Sequence, residues 1–144
     1  MEIYTIGFTK KSAREFFELL KKHRIQRVMD IRLNNSSQLA GFTKRDDLEY
    51  FLAELCNASY EHQLLLAPTD ELLKGYRADG DWGALETQFT SLLAERRVEK
   101  LIDKASFELR TVLLCSEATA KQCHRRLVAE YLQNKWGDVQ VVHL

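Results

Sequence analysis

The stretch that decides the fold runs from Leu113 to Arg126 and reads Leu-Leu-Cys-Ser-Glu-Ala-Thr-Ala-Lys-Gln-Cys-His-Arg-Arg. A β-forming apolar run, Thr111–Leu114, leads into it, and a helical pattern over Ala120–Asn134 overlaps its end. Thr119 and Gln122 have the spacing of a capping box, so we expect the helix to start near Thr119. Ligands of open α/β sheets bind outside the carboxyl ends of the strands. This strand-to-helix junction is therefore the predicted site.

Strands and helices alternate along the rest of the chain. The β-forming runs are Ile3–Ile6, Ile25–Ile31, Ser59–Leu65, Arg110–Leu114 and Val139–Val142. The helical patterns between them begin near Ser12, Thr43, Pro68 and Trp82, the last continuing to Ile102. Such alternation predicts βαβ crossovers and a parallel sheet. We expect residues 1–144 to form one α/β domain, a three-layer α/β/α fold with a mostly parallel, Rossmann-like sheet of about five strands.

Composition excludes some classes of protein. The 21 Lys and Arg residues equal the 21 Asp and Glu residues, so no overall charge indicates a nucleic-acid or membrane partner. Locally, Arg110, Lys121, Arg125 and Arg126 outnumber Glu117, which predicts a positive patch if this segment packs compactly.

The cysteines indicate a reducing compartment. Three of them, Cys56, Cys115 and Cys123, follow an N-terminus without a signal-peptide pattern, and no apolar run approaches 18 residues. We expect a cytoplasmic protein with free thiols and no membrane contact.

Parallel strands would bring several polar side chains to one edge of the sheet. These are Gly7-Phe8-Thr9, Asp30-Ile31-Arg32 and Cys115-Ser116-Glu117, with His62 and His143 on further strands. Helices also begin at this edge, and a helix N-terminus favours an anion. Gly7, Asp30, Arg32 and Arg125 are the predicted substrate-binding residues, with the two arginines as planar clamps for phosphate or carboxylate. Alternatively, Arg32 pairs with Asp30 or Glu117 and only orders the loop.

The 100° step of the last helix predicts how its first side chains point. His124 would enter the apolar face, Cys123 and Arg125 would lie at its margins, and Arg126 would face solvent. Near a helix N-terminus the imidazole of His124 is expected to be neutral, either as a general base or hydrogen-bonded to a carbonyl.

Cys115, Glu117, Cys123 and His124 are the predicted catalytic residues. The helix N-terminus and Arg125 would lower the pKa of Cys123, as a nucleophile requires, although both cysteines also suit simple packing. Cys56 is expected to be core. Glu117 could act as an acid or base, an arginine partner or an acceptor for a ribose hydroxyl.

No metal is predicted at this cluster. Its ligand types suit zinc, but adjacent Cys123 and His124 would diverge by about 100° on a helix, and no CxxC pair occurs. GxGxxG, Walker A and GxSxG elements are also lacking, which leaves the cofactor open.

Together these pieces resemble a known family. The resemblance is carried by Ile3-Tyr-Thr-Ile-Gly7, Asp30-Ile-Arg32, Leu114-Cys-Ser-Glu117, Cys123-His-Arg125 with Leu127-Val-Ala-Glu-Tyr-Leu132, and Val142-His-Leu144. In order and spacing they are similar to the DUF488 proteins, a prokaryotic domain of unknown function. The resemblance implies a compact α/β domain whose functional positions correspond to Arg32, Cys115, Glu117, Cys123, His124 and Arg125.

This chain departs from the family pattern twice. Gly7-Phe8-Thr9 replaces the usual Gly-His-Ser, and Leu33–Phe42 replaces a loop rich in proline and arginine. We therefore expect a subgroup with its own ligand.

Two functions remain open from the sequence. One is an enzyme that acts on a phosphorylated or nucleotide-like anion at the carboxyl edge of the sheet. The other is a non-catalytic domain that binds a nucleotide or nucleic acid through the Arg110–Arg126 patch. The partner is an anionic small molecule in the first case and can be nucleic acid in the second.

Overall fold

A computed structural model of the protein contains a five-stranded sheet in the order β3-β2-β4-β1-β5. The strands are β1 (Glu2–Gly7), β2 (Arg27–Asp30), β3 (Ser59–His62), β4 (Thr111–Cys115) and β5 (Gln140–His143), and all four pairings are parallel. The structure describes residues 1–117 and 119–144, without the side chains of Gln38 and Leu39. Ala118, part of the predicted junction, lies outside the described residues. The predicted three-layer α/β/α fold is confirmed.

The helices follow the predicted alternation with some changed boundaries. They are α1 (Ala13–Lys22), α2 (Arg45–Phe51), α3 (Asp70–Asp79), α4 (Trp82–Arg96), α5 (Val98–Leu101) and α6 (His124–Trp136). The helix predicted to continue to Ile102 is interrupted at Arg97, whose left-handed φ of 53° ends α4. In the described part of the chain, no helix is long and apolar enough to cross a bilayer.

Each face of the sheet is covered by its own hydrophobic core. Alternate residues of a strand point to opposite faces, so Leu113 of β4 joins one core and its neighbour Leu114 joins the other. Phe16 of α1 and Leu48 of α2 lie with Leu114, while Phe89 of α4 lies with Leu113. Burial on both faces explains why β4 is a continuous apolar run in the sequence.

The strand order creates a crevice between β1 and β4. From β1 the chain passes over β4 to reach β2, whereas from β4 it passes over β1 to reach β5. The following helices, α1 and α6, lie on opposite faces, so the two connections diverge at the strand ends. Gly7 and Cys115 pair at this switch point, where ligands bind in open α/β sheets.

The predicted start of the last helix at Thr119 is wrong. Residues 119–122 form turns, Cys123 occupies the N-cap position, and α6 begins at His124. The loop instead returns to β1, because Thr9 donates its N–H to the carbonyl of Ser116 at 3.0 Å. The carbonyl of Glu117 accepts a bond from Nη1 of Arg125 at 2.6 Å. These two hydrogen bonds hold the loop out of the helix, so the capping pattern at Thr119 does not start α6.

The close approach of this loop to β1 requires glycine at position 7. A Cβ there would lie 1.6 Å from the carbonyl oxygen of Glu117 and 2.6 Å from Nη1 of Arg125. We expect Gly7→Ala to lower the free energy of unfolding by about 1–3 kcal/mol, measured by urea denaturation, because backbone must move. Gly75→Ala is the matched control. Position 75 lies inside α3 in open space, so this change should stabilise by up to about 1 kcal/mol. A Gly7→Ala protein as stable as the parent would contradict this account.

Candidate active site

The centre of the site is the thiol of Cys115 at the end of β4. Its sulfur lies 3.2 Å from Nδ1 of His124 and 2.6 Å from the sulfur of Cys123. The strand fixes this position, since Cys115 is in register with Gly7 and only 3% exposed. Three of the four predicted catalytic side chains therefore meet at one point.

His124 is held in one orientation by the backbone of the neighbouring strand. Its Nε2 lies 2.8 Å from the carbonyl oxygen of Ile31, and the edge of its ring packs against Phe89. A carbonyl accepts only, so Nε2 carries a proton and donates this bond, while Nδ1 faces the sulfur of Cys115. The predicted inward direction of His124 is confirmed. The hydrogen bond to a carbonyl, foreseen as an alternative to a catalytic role, forms at Nε2 and leaves Nδ1 facing the thiol.

The predicted divergence of Cys123 and His124 is wrong. That prediction placed both residues on a helix, but Cys123 precedes α6 with an extended backbone, φ −137° and ψ 139°. Its side chain turns back to β4 and is 2% exposed. Cys115, Cys123 and His124 consequently place their ligand atoms within 4.8 Å of one another.

The thiol with the lowered pKa is Cys115. Burial raises the pKa of this thiol. Four other effects lower that pKa by a larger amount: the hydrogen bond from Cys123, the charge of Arg125, and the N–H groups of Ser116 and Glu117. The net pKa therefore lies below the ordinary value, which favours a thiolate at this position.

The predicted low pKa of Cys123 is wrong in direction. The hydrogen bond to Cys115 raises the pKa of Cys123, and burial adds to this, against a smaller opposing effect of His124. Two sulfurs in contact do not ionise together, and the one facing the backbone N–H groups keeps the negative charge.

Arg125 is a fully buried cation beside these sulfurs. Nε donates to Oγ1 of Thr5 at 3.3 Å, and Nη1 lies 2.6 Å from the carbonyl of Glu117 and 3.6 Å from the sulfur of Cys123. The predicted position at a helix margin is therefore wrong, because the first turn of α6 runs beneath the end of β1. No ion pair among the described residues includes Arg125. Its charge is balanced by dipoles and by any thiolate on Cys115.

Arg32 is engaged with Asp30 in a closed network. Its guanidinium donates to both carboxylate oxygens of Asp30 at 2.8 and 2.7 Å and to Thr43 on its other side. Tyr60 donates a further bond of 2.6 Å to Asp30, and Phe8 lies against the guanidinium. This geometry favours the interpretation that Arg32 orders the loop. Phe8, one of the departures from the family pattern, forms part of the same network.

A cavity of about 290 Å³ opens onto the cluster. Cys115, Cys123 and His124 form its buried wall, and Arg32, Asn34, Tyr76, Arg77, Trp82 and Glu117 are among its other lining residues. Tyr76, Arg77 and Trp82 are the contributions that the sequence interpretation missed. The only signal for them was a pair of aromatic residues on either side of the turn Asp79-Gly80-Asp81.

The other histidines at this edge lie outside the cavity lining. Nε2 of His62 lies 2.7 Å from the carbonyl of Arg32, and Nδ1 of His143 accepts a bond from the hydroxyl of Thr5 at 2.5 Å. Burial and the charge of Arg125 lower the pKa of His143. His62 joins β3 to the segment after β2, and His143 joins β5 to β1.

The predicted positive patch from Arg110 to Arg126 does not form. Arg110 precedes β4 and donates to Tyr4 and to the carbonyl of His23, roughly 16 Å of strand away from Cys115. Arg125 is buried. Arg126, predicted to face solvent, is half-buried and pairs with Glu86 and Glu130. Only Lys121 of the four cations is exposed near the loop.

The cluster offers two sulfurs and one nitrogen to a soft metal ion. Tetrahedral zinc with bonds of 2.3 Å would separate the sulfurs by about 3.8 Å. They lie 2.6 Å apart, so the side chains would have to move before the ion could bind. The three ligand atoms nevertheless lie within 4.8 Å of one another, so the cluster has the donor set of a metal site without its spacing.

Comparison with known proteins identifies a family. The family model described as domain of unknown function DUF488 matches residues 12–132. No curated protein and no solved structure matches the chain. The chemistry of the site must therefore be inferred from its own geometry.

The Asp30–Arg32 pair gives a test of the scaffold. We expect Asp30→Asn to lower the free energy of unfolding by about 3–5 kcal/mol, because it leaves a buried guanidinium without its countercharge. The exposed pair between Asp70 and Lys74 supplies the control, and Asp70→Asn should cost about 0.5 kcal/mol or less. Both values come from urea denaturation at neutral pH. Equal effects of the two substitutions would refute the assigned role.

Proposed function

This chain belongs to the DUF488 family, and we propose that it is an enzyme in which Cys115 attacks a small anionic substrate, phosphorylated or nucleotide-like, in the cavity at the carboxyl edge of the sheet. One observation carries the proposal. The carbonyl of Ile31 fixes the proton of His124 on Nε2, and the free Nδ1 then faces the sulfur of Cys115 at 3.2 Å. A nucleophile with an adjacent, oriented base is the arrangement that covalent catalysis requires.

The surroundings support a thiolate at Cys115. Nδ1 of His124 can take the thiol proton, and the carbonyl of Ile31 then stabilises the imidazolium through its bond to Nε2. The N–H groups of Ser116 and Glu117 and the charge of Arg125 lower the pKa of the thiol. A reducing compartment such as the cytoplasm would keep this thiol free.

An anionic substrate fits the charge of the site. Arg125 carries a buried positive charge with no carboxylate partner among the described residues, and α6, a helix of 13 residues, begins beside it. Arg77 adds an exposed cation to the lining of the cavity. An anion bound in the cavity would meet Arg77 at the lining, and the buried charge of Arg125 would act on it from behind Cys123.

The opposite wall of the cavity suits a ring. Tyr76 and Trp82 pack edge to face with ring centroids 5.9 Å apart, and both line the cavity. A volume of about 290 Å³ is at the lower end of small-molecule sites. To Glu117, exposed at the lining, we assign the protonation of the leaving group. A nucleoside monophosphate has the size, charge and aromatic ring that these features match.

The alternative, a domain that grips nucleic acid without catalysis, depended on a positive patch from Arg110 to Arg126. The fold separates those charges, and the aromatic residues lie inside a cavity rather than on an open surface. No observation favours that alternative over the enzyme.

The reactivity of Cys115 tests the nucleophile. The rate of alkylation by iodoacetamide, followed by mass spectrometry of peptides, should reach half of its plateau at a pH below the ordinary thiol value of 9.0, because the pKa of Cys115 is lowered. Cys56 is the internal control, since burial raises the pKa of that thiol and its rate should still be rising there. Iodoacetate, an anion, should favour Cys115 over Cys56 about tenfold more than iodoacetamide does. Matching pH profiles for the two cysteines would eliminate Cys115 as an activated nucleophile.

Turnover tests the proposed reaction. We expect hydrolysis of p-nitrophenyl phosphate or of a nucleoside monophosphate, with a loss of at least about 10³-fold in kcat for Cys115→Ser, because the covalent step is removed. His124→Asn should lower kcat by about 10²–10⁴-fold. His62→Asn is the control, because that imidazole lies outside the cavity lining. Binding of these compounds without turnover, unaffected by Cys115→Ser, would support the non-catalytic alternative instead.

A further inference from the structure

Cys123 lowers the pKa of Cys115 through a hydrogen bond but takes no part in the covalent step proposed above. Its sulfur lies 2.6 Å from that of Cys115, well inside van der Waals contact and beyond the about 2.05 Å of a disulfide bond. Both thiols are free. The cavity reaches both sulfurs. A reagent that bonds to one sulfur can therefore be displaced by attack of the other.

We propose that Cys115 and Cys123 form a redox-active dithiol, in which Cys115 attacks a small anionic disulfide and Cys123 resolves the mixed disulfide. This activity goes beyond the proposed function and shares only its nucleophile, so it rests on the reactivity of Cys115.

The backbone places the pair for closure without rearrangement. Cys115 is the last residue of β4, and Cys123 is the extended N-cap residue of α6, so both are anchored by regular structure. The eight-residue separation between them is taken up by a loop that ties back to β1. Each side chain already points at the other, and therefore neither element has to move for the bond to form.

The two thiols differ as an attacking and a resolving cysteine must. The pKa of Cys115 is lowered, whereas the hydrogen bond to Cys115 raises that of Cys123. Once the Cys115 sulfur is in a mixed disulfide, it carries no negative charge. The hydrogen bond that raised the pKa of Cys123 is then lost. His124 and Nη1 of Arg125, 3.6 Å from the Cys123 sulfur, then favour the second thiolate. The resolving step is thereby switched on by the first.

The reaction balances over two exchanges. The Cys115 thiolate bonds to one sulfur of the substrate disulfide, and the other sulfur leaves as a thiolate that takes the proton held by His124. The Cys123 thiolate then attacks the Cys115 sulfur, the second substrate thiolate leaves with the Cys123 proton, and the protein disulfide remains. The substrate gains two electrons, and the protein loses two. A small dithiol or thiol protein must reduce Cys115–Cys123 again.

Oxidised glutathione is a suitable probe because it is a disulfide that carries carboxylates. Reduced protein mixed with it should release two equivalents of glutathione and lose two hydrogens, with Cys115 joined to Cys123 in the peptide map. Cys123→Ser should release one equivalent and retain one glutathione on Cys115. Cys115→Ser should neither release nor retain glutathione, and Cys56→Ser should give the same result as the parent protein. Cys123→Ala serves in place of Cys123→Ser if that variant unfolds.

The possible failures are distinguishable. Rapid alkylation of Cys115 with no disulfide and no trapped glutathione would refute the redox role of the pair and leave Cys115 as the proposed nucleophile. Slow alkylation of Cys115 would refute both the proposed nucleophile and the redox pair. Purified protein that contains equimolar zinc, and whose thiols react only after chelation, would show that the pair binds metal and would also overturn the dithiol.

Discussion

The buried guanidinium of Arg125 is the constraint on which the rest of the site depends. A cation without a carboxylate partner is costly in a protein interior unless dipoles or a second charge compensate it. Here the carbonyl of Glu117 and the hydroxyl of Thr5 accept hydrogen bonds from the guanidinium. The loop after β4 must therefore fold back over the end of β1, which leaves no space for a side chain at Gly7. The same charge stabilises a thiolate on Cys115.

The late start of α6 determines which groups meet. If the helix began at Thr119, Cys123 and His124 would lie on diverging sides of it. With Cys123 extended at the N-cap, its sulfur turns to β4 while His124 reaches across to the carbonyl of Ile31. The extended backbone at Cys123 thus brings the two thiols together and also orients the imidazole of His124. Both proposed chemistries use this arrangement, one through His124 and the other through Cys123.

The Asp30–Arg32 pair shows how a scaffold residue can resemble a binding residue. An arginine at the carboxyl end of a strand is typical of anion sites, and sequence alone left both roles open. Tertiary structure surrounds the guanidinium with Asp30, Thr43 and Phe8, and four of its five N–H groups donate to Asp30 and Thr43. Arg125, which the sequence assigned to the same role on the same grounds, has no ion pair among the described residues.

The sequence by itself determined the class of fold and the edge that carries the site. Alternating apolar runs and capped helices require a parallel sheet, and parallel strands bring Cys115, Asp30 and Gly7 to one edge. Only the tertiary structure decided which thiol has the lowered pKa, where α6 begins and which residues form the cavity wall. Ionisation depends on burial and on charges from distant segments, and the start of α6 depends on contacts with β1. Tyr76 and Trp82 reach the cavity through the packing of α3 and α4, which no local pattern records.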